Sequence, residues 1–146
     1  MLLTHRVHTA ATPAQVWAVV GNPQAWPSVE PFLRGVRGRP GRATAGQHLM
    51  ILARFSTLAI PVNVLEAIPE SRLVLLVRAA PGLREQLTYE LTPSVRGGCD
   101  ITISLVVDGA FAGPALLPLW LAAGLTALLL AARTDRDARS GRRSAA

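Results

Sequence analysis

Between Phe32 and Gly109 the chain alternates apolar and polar residues, with turn residues at intervals of roughly ten. The runs that read as strands are FLRGVR, GQHLMILARF, LAIPVNVLEAI, RLVLLVRAA, LREQLTYELTP and CDITISLVVDG. Side chains two apart share a strand face. In the last two runs Leu87, Tyr89 and Leu91 share a face, as do Ile101, Ile103, Leu105 and Val107. Thr88, Glu90, Thr92, Asp100, Thr102 and Ser104 fall opposite. One face is dry and one is wet. The breaks are short, as at Pro69 to Ser71 and Ser94 to Gly98, which favours antiparallel hairpins over parallel crossovers. Pro61 places an edge or a bulge within its run.

Ahead of these strands, LLTHRVHTA alternates as a strand, with Leu3, His5, Val7 and Thr9 on one face. Thr12 then offers an N-cap, Pro13 suits the first helical position, and Gln15 completes a capping box. This short helix ends at Gly21. Asn22-Pro23 starts a second one, carrying Gln24, Ala25 and Trp26 until Pro27 stops it.

After the strands comes FAGPALLPLWLAAGLTALLLAAR, residues 111–133, uncharged until Arg133. Counted from Gly109, the uncharged stretch would reach about 36 Å as a helix, enough to span a bilayer. Two observations oppose a span. The arginines beyond it would hold the C-terminus in the cytoplasm and force the N-terminal domain outside without a signal sequence. A sheet with one apolar face also needs a covering layer, and the two short helices are too small to supply it. The segment therefore reads as a buried cover helix. Its outer face shows only Thr126 as a polar residue before Arg133, so it must meet a partner subunit, a membrane surface or a bulky ligand.

Composition narrows the function. At 146 residues the chain fits one domain, and 50% hydrophobic with 16% charged residues excludes a disordered chain. Lysine is absent, so Schiff-base chemistry on a side-chain amine is unavailable, and the arginine-only usage points to a high-GC bacterial gene. The single Cys99 forms no intramolecular disulfide or cysteine zinc cluster and reads as a small core residue. The net charge of +6 is scattered. Five arginines against Asp135 and Asp137 put +3 in the last fourteen residues, and the other +3 is spread along the body without interleaved aromatics. That is not a nucleic-acid footprint. The N-terminus lacks an apolar core of signal-peptide length, which argues against secretion and for a cytoplasmic protein.

The run ATPAQVWAVVGNPQAWPSVEPFLRGVR resembles the N-terminal signature of the SRPBCC proteins, the START-like helix-grip superfamily that includes polyketide cyclases and dehydrases. Val16, Trp17, Pro23, Trp26 and Pro27 fall where that pattern wants them. The resemblance implies an α+β fold, with a curved antiparallel sheet of about seven strands around a long C-terminal helix and two short helices after the first strand. The resemblance covers roughly residues 3–135, and the arginine-rich end of the chain reads by its own composition as a tail, so the expected division is a ligand-binding domain, 1–133, and a basic disordered tail, 134–146. The resemblance also implies a deep cavity for lipids, sterols or polyketides. The small residues Ala122, Ala123, Gly124 and Ala127 agree, since they leave volume beneath a curved sheet.

On that fold the expected ligand contacts are Trp26, Phe32, Tyr89 and Ile103, joined from the cover helix by Phe111, Leu117, Trp120, Leu121 and Leu125. Glu85, in phase with Leu87 and Tyr89, is either a general base with a raised pKa or a solvated residue at the mouth. Tyr89 is either a hydrogen-bond donor to a ligand carbonyl or a core aromatic. Glu66 is a weaker copy of Glu85. His5 and His8 face opposite sides of their strand and His48 reads as exposed, so no metal site is expected. No cofactor is expected. Three functions stay open: carriage of a hydrophobic small molecule, cofactor-independent polyketide cyclisation or dehydration, and a peripheral membrane or protein-interaction role, with homodimer or membrane contact through the apolar helix.

Overall fold

The computed structural model describes residues 2–145. Seven strands form one sheet: β1 (Leu2–Thr9), β2 (Leu33–Arg37), β3 (His48–Ala53), β4 (Ala59–Ile68), β5 (Arg72–Ala80), β6 (Leu83–Pro93) and β7 (Cys99–Asp108). Their order is β1-β7-β6-β5-β4-β3-β2, and each neighbouring pair is antiparallel. Helix α1 (Pro13–Val20) and a 3-10 helix (Pro23–Ser28) carry the chain from one edge strand to the other. Helix α2 (Ala112–Ala145) closes the fold, packed on β1, β7 and α1.

The local signals act as the residues dictate. The Gln15 N–H donates to Thr12 Oγ1 (3.2 Å) and the Thr12 N–H to Gln15 Oε1 (2.9 Å), closing the capping box. Pro27 does not end the second helix. It sits inside a 3-10 turn that runs on to Ser28, and the Val29 N–H closes on the Trp26 carbonyl at 3.0 Å.

Dry-face pairing holds the sheet in register: Leu87 opposes Leu105, Tyr89 opposes Ile103, and Leu91 opposes Ile101. Pro61 lies on an interior strand, yet it costs no ladder bond to β5. The β4–β5 pairing begins only at Val62, so Pro61 faces β3 alone and is locally at an edge. The bulge comes later, between Val64 and Glu66. It shifts the strand's phase and turns Glu66 onto the face of Val74 and Thr88, away from Val62 and Val64. There Glu66 meets Arg72 at 3.5 Å. Glu66 is not a copy of Glu85.

The helix does not give way to a tail at 134. Thr134 is fully buried, and Ala138 belongs to the core. The Thr9 hydroxyl donates to Asp135 Oδ1 (2.8 Å) and lies 2.8 Å from Thr134 Oγ1, while the Ala10 N–H reaches the same Asp135 oxygen at 2.7 Å. These bonds use donors left free where β1 ends. They fasten the polar part of α2 to the sheet.

Candidate functional site

The two halves of α2 do different work. Ala127 and Leu130 fill the core with Leu73, Leu91 and Ile101. Further toward the helix N-terminus, Pro118, Leu119, Ala122, Ala123 and Thr126 stand off the sheet and roof a cavity of about 390 Å³. Its floor is the dry face of β3 to β7, including Ile51, Val62, Leu75, Val77, Leu87 and Ile103. Trp26, Glu30, Phe32 and Leu33 close one side. Phe32 lines the cavity while 51% exposed, which puts it at the mouth. The Trp26 ring is fixed by its Nε1–H on the Val20 carbonyl, 2.8 Å.

Of the positions expected from sequence, Trp26, Phe32, Glu85, Tyr89 and Ile103 line this cavity. Phe111, Leu117, Trp120, Leu121 and Leu125 do not. Phe111 covers the β5–β6 hairpin, where Gly82 (φ +76) leaves room for its ring. Leu117 (63% exposed), Leu121 (57%), Leu125 and Leu128 form an outward stripe. Trp120 sits against His5, with ring centroids 5.1 Å apart, and the His5 Nε2–H donates to the Trp120 carbonyl at 3.0 Å. Gly124 allows this approach, since a Cβ there would lie 3.0 Å from the imidazole. Thr126, expected on the outer face, points inward and is buried, its hydroxyl donating to the Ala122 carbonyl at 3.0 Å. Before Arg133 the helix is apolar all round, so hydrophobicity could not distinguish its faces. Ala122, Ala123 and Thr126 face the cavity with Pro118 and Leu119, while Leu117, Leu121, Leu125 and Leu128 face out.

Glu30 was not anticipated. It follows the 3-10 helix in a segment without periodicity, so no strand phase aims it anywhere. The one available signal was an acid standing between Val29 and Pro31 in an otherwise apolar stretch.

Glu30 and Glu85 are half-buried, with no salt bridge or hydrogen bond from either carboxyl to a described residue. Burial pushes the Glu85 carboxyl up to about 7. Burial does the same to Glu30, also up to about 7, and the nearby Glu85 charge adds to it. Burial, then Glu30 and Glu85, hold the Tyr89 phenol far above its ordinary range. A raised carboxyl stabilises the fold while protonated. That contribution is complete below about 4.5 and is lost as the pH rises through about 7. The cavity thus combines an apolar lining with two carboxyls poised to hold or release a proton near neutrality.

The remaining candidates sit outside the cavity. His8 Nδ1 pairs with Asp100 at 2.9 Å on the wet face, and exposed His48 bonds Asn63. Among the described residues no group of three His, Cys, Asp or Glu is placed to hold a metal ion. Cys99 is fully buried, and burial pushes its thiol up.

An antiparallel sheet gripping a long C-terminal helix, with a ligand-sized hollow between them, is the helix-grip fold. The chain belongs to the family described as polyketide cyclase/dehydrase and lipid transport, which matches residues 2–137. Among solved structures it resembles a Mesorhizobium loti protein at 16% identity, covering 93% of this chain and 98% of that one, with a TM-score of 0.75. A Thermobifida fusca protein aligns at 22% identity over 92% and 93% of the two chains, TM-score 0.72. A Chromobacterium violaceum protein aligns at 20% identity over 92% and 96%, TM-score 0.69. At these identities the likeness is one of fold. No curated protein matches the chain.

Proposed function

We propose that the protein binds a hydrophobic small molecule, lipid-like or polyketide-like, and carries it in the cytoplasm. One observation carries this reading: an apolar hollow of about 390 Å³ that none of its own side chains fills, within the usual size of small-molecule sites. Membership of a family that includes lipid transport supports it. Mass spectrometry of protein purified under native conditions should find an apolar molecule at near-equal stoichiometry. Protein that carries none, and that takes up no apolar chain when offered one, would refute carriage.

A second reading is favoured by Glu30, Glu85 and Tyr89 lining one cavity. A carboxyl near 7 can take a proton alpha to a ketone, and a phenol can hold the enolate oxygen that develops. That is the chemistry of a cofactor-independent cyclase or dehydrase acting on a poly-β-keto chain. In that case Glu85→Gln lowers turnover at least about tenfold and leaves affinity within a few-fold. Binding without turnover in the parent protein leaves carriage as the function.

The outward stripe of α2 supports a third element, contact with a second copy of the chain or with a membrane surface. By length and composition α2 could cross a membrane, and 28% of its most apolar stretch is buried. Leu121→Glu should abolish concentration-dependent self-association in light scattering, or vesicle co-sedimentation if the contact is with lipid. A strict monomer that ignores vesicles would remove this element and leave the cavity reading intact.

A further inference from the structure

The titratable groups of the cavity are all acids. Glu30, Glu85 and Tyr89 share it with Thr126, whose hydroxyl proton is already committed to the Ala122 carbonyl. No arginine or histidine lines it. The nearest arginine in sequence, Arg84, is spent on Asp108 across the sheet at 3.1 Å. Tyr89 is only 9% exposed and lines the hollow, yet its hydroxyl bonds no described residue. Buried hydroxyls and carboxyls ordinarily find partners within the protein. Here two half-buried carboxyls and a phenol line one hollow without a hydrogen-bond partner among the described residues, and no cationic side chain lines it with them.

Resting on the binding reading above, we infer that the cavity takes an apolar molecule bearing a basic nitrogen, an amine or amidine, which Glu30 and Glu85 hold as the ion-pair partner this chain lacks. A ligand carboxylate would instead meet two acids and no donor beyond their own protons and the phenol. A neutral ligand would gain the apolar lining but leave the repulsion between the two acids in place. A cation offsets both the burial cost and the repulsion, and so favours the charged form of the two carboxyls. The step balances simply: the ammonium enters charged, the carboxyls pass their protons to solvent, and no bond of the ligand is made or broken. Tyr89 remains protonated and offers its hydroxyl as a donor to a ligand oxygen.

The test compares decylamine, decanol and decanoate, three chains of one length, by calorimetry with the full-length protein. Decylamine should bind at least about tenfold more tightly than decanol at about pH 8, and decanoate more weakly than either. Its affinity should rise at least about fivefold from about pH 6 to about pH 8, with protons released to the buffer, while that for decanol stays level. Glu30→Gln with Glu85→Gln should remove the preference for the amine, so that decylamine and decanol bind with affinities within about threefold of each other. Should the double variant fail to fold, the proton release and pH slope of the parent protein decide alone. Decanol binding with no preference for the amine, or a preference that survives the double substitution, overturns this inference and leaves the binding reading standing. No binding of any of the three chains overturns both.

Discussion

A chain ending before Pro114 should not fold. Without α2, the dry face formed by Leu73, Leu91, Ile101 and Ile103 loses Ala127 and Leu130, with which it forms one core. Fully burying a Leu or Ile is worth about 1.5–3 kcal/mol, and a domain of this size has about 5–15 kcal/mol in total. Exposing four such residues costs about 6–12 kcal/mol, as much as most of that total. The truncated chain should be insoluble, or should bind a dye for exposed apolar surface and melt without cooperativity. A cooperative thermal transition in the truncated chain would mean the sheet is stable uncovered, and the cover reading would fall. Ending the chain at Arg133 is milder. It removes Thr134, Asp135 and Ala138 and leaves Thr9 and the Ala10 N–H without their partners, a loss of about 1–3 kcal/mol. That protein should fold, stay soluble without detergent, and melt several degrees lower.

This contrast also marks where the sequence is readable and where it is not. Strands with one wet and one dry face announce themselves, so β6 and β7 and the face each of their residues takes follow from alternation alone. The presence of a cover helix is equally legible, because a one-sided sheet demands one. Which side of that helix faces in is not. Leu117, Trp120, Leu121 and Leu125 are as apolar as Pro118, Leu119, Ala122 and Ala123, and only packing against His5 and the sheet sets the rotation. Pro61 signals an edge or a bulge in β4 but not the bulge's place before Glu66, because a single extra residue changes phase without changing composition. Glu30 sits in a loop, where no period exists to aim it. Thr134 and Asp135 look like the start of a solvated tail, and only the proximity of the end of β1 gives their polar atoms a use.

If the cavity is where the ligand sits, filling it should abolish binding without unfolding the protein. Ala123 is the position to use, because it lines the hollow from the helix side and its small side chain leaves the volume open. Ala123→Trp places an indole into that space. Overpacking a filled core costs about 1–3 kcal/mol, but here the added ring enters space that no side chain occupies, so the melting temperature should move by only a few degrees. Decanol affinity should fall at least about a hundredfold, about 2.7 kcal/mol, because the chain must compete with a group covalently fixed in its place. Leu121→Trp is the matched control: it adds an indole to the same helix about half a turn away, on the exposed stripe. It should leave decanol binding unchanged. Were the two variants to behave the other way round, with Leu121→Trp blocking decanol and Ala123→Trp binding like the parent, the ligand would lie on the outer face of α2. The hollow would then be an unfilled defect of packing, and the expectation that Leu117, Trp120, Leu121 and Leu125 contact the ligand would regain its footing.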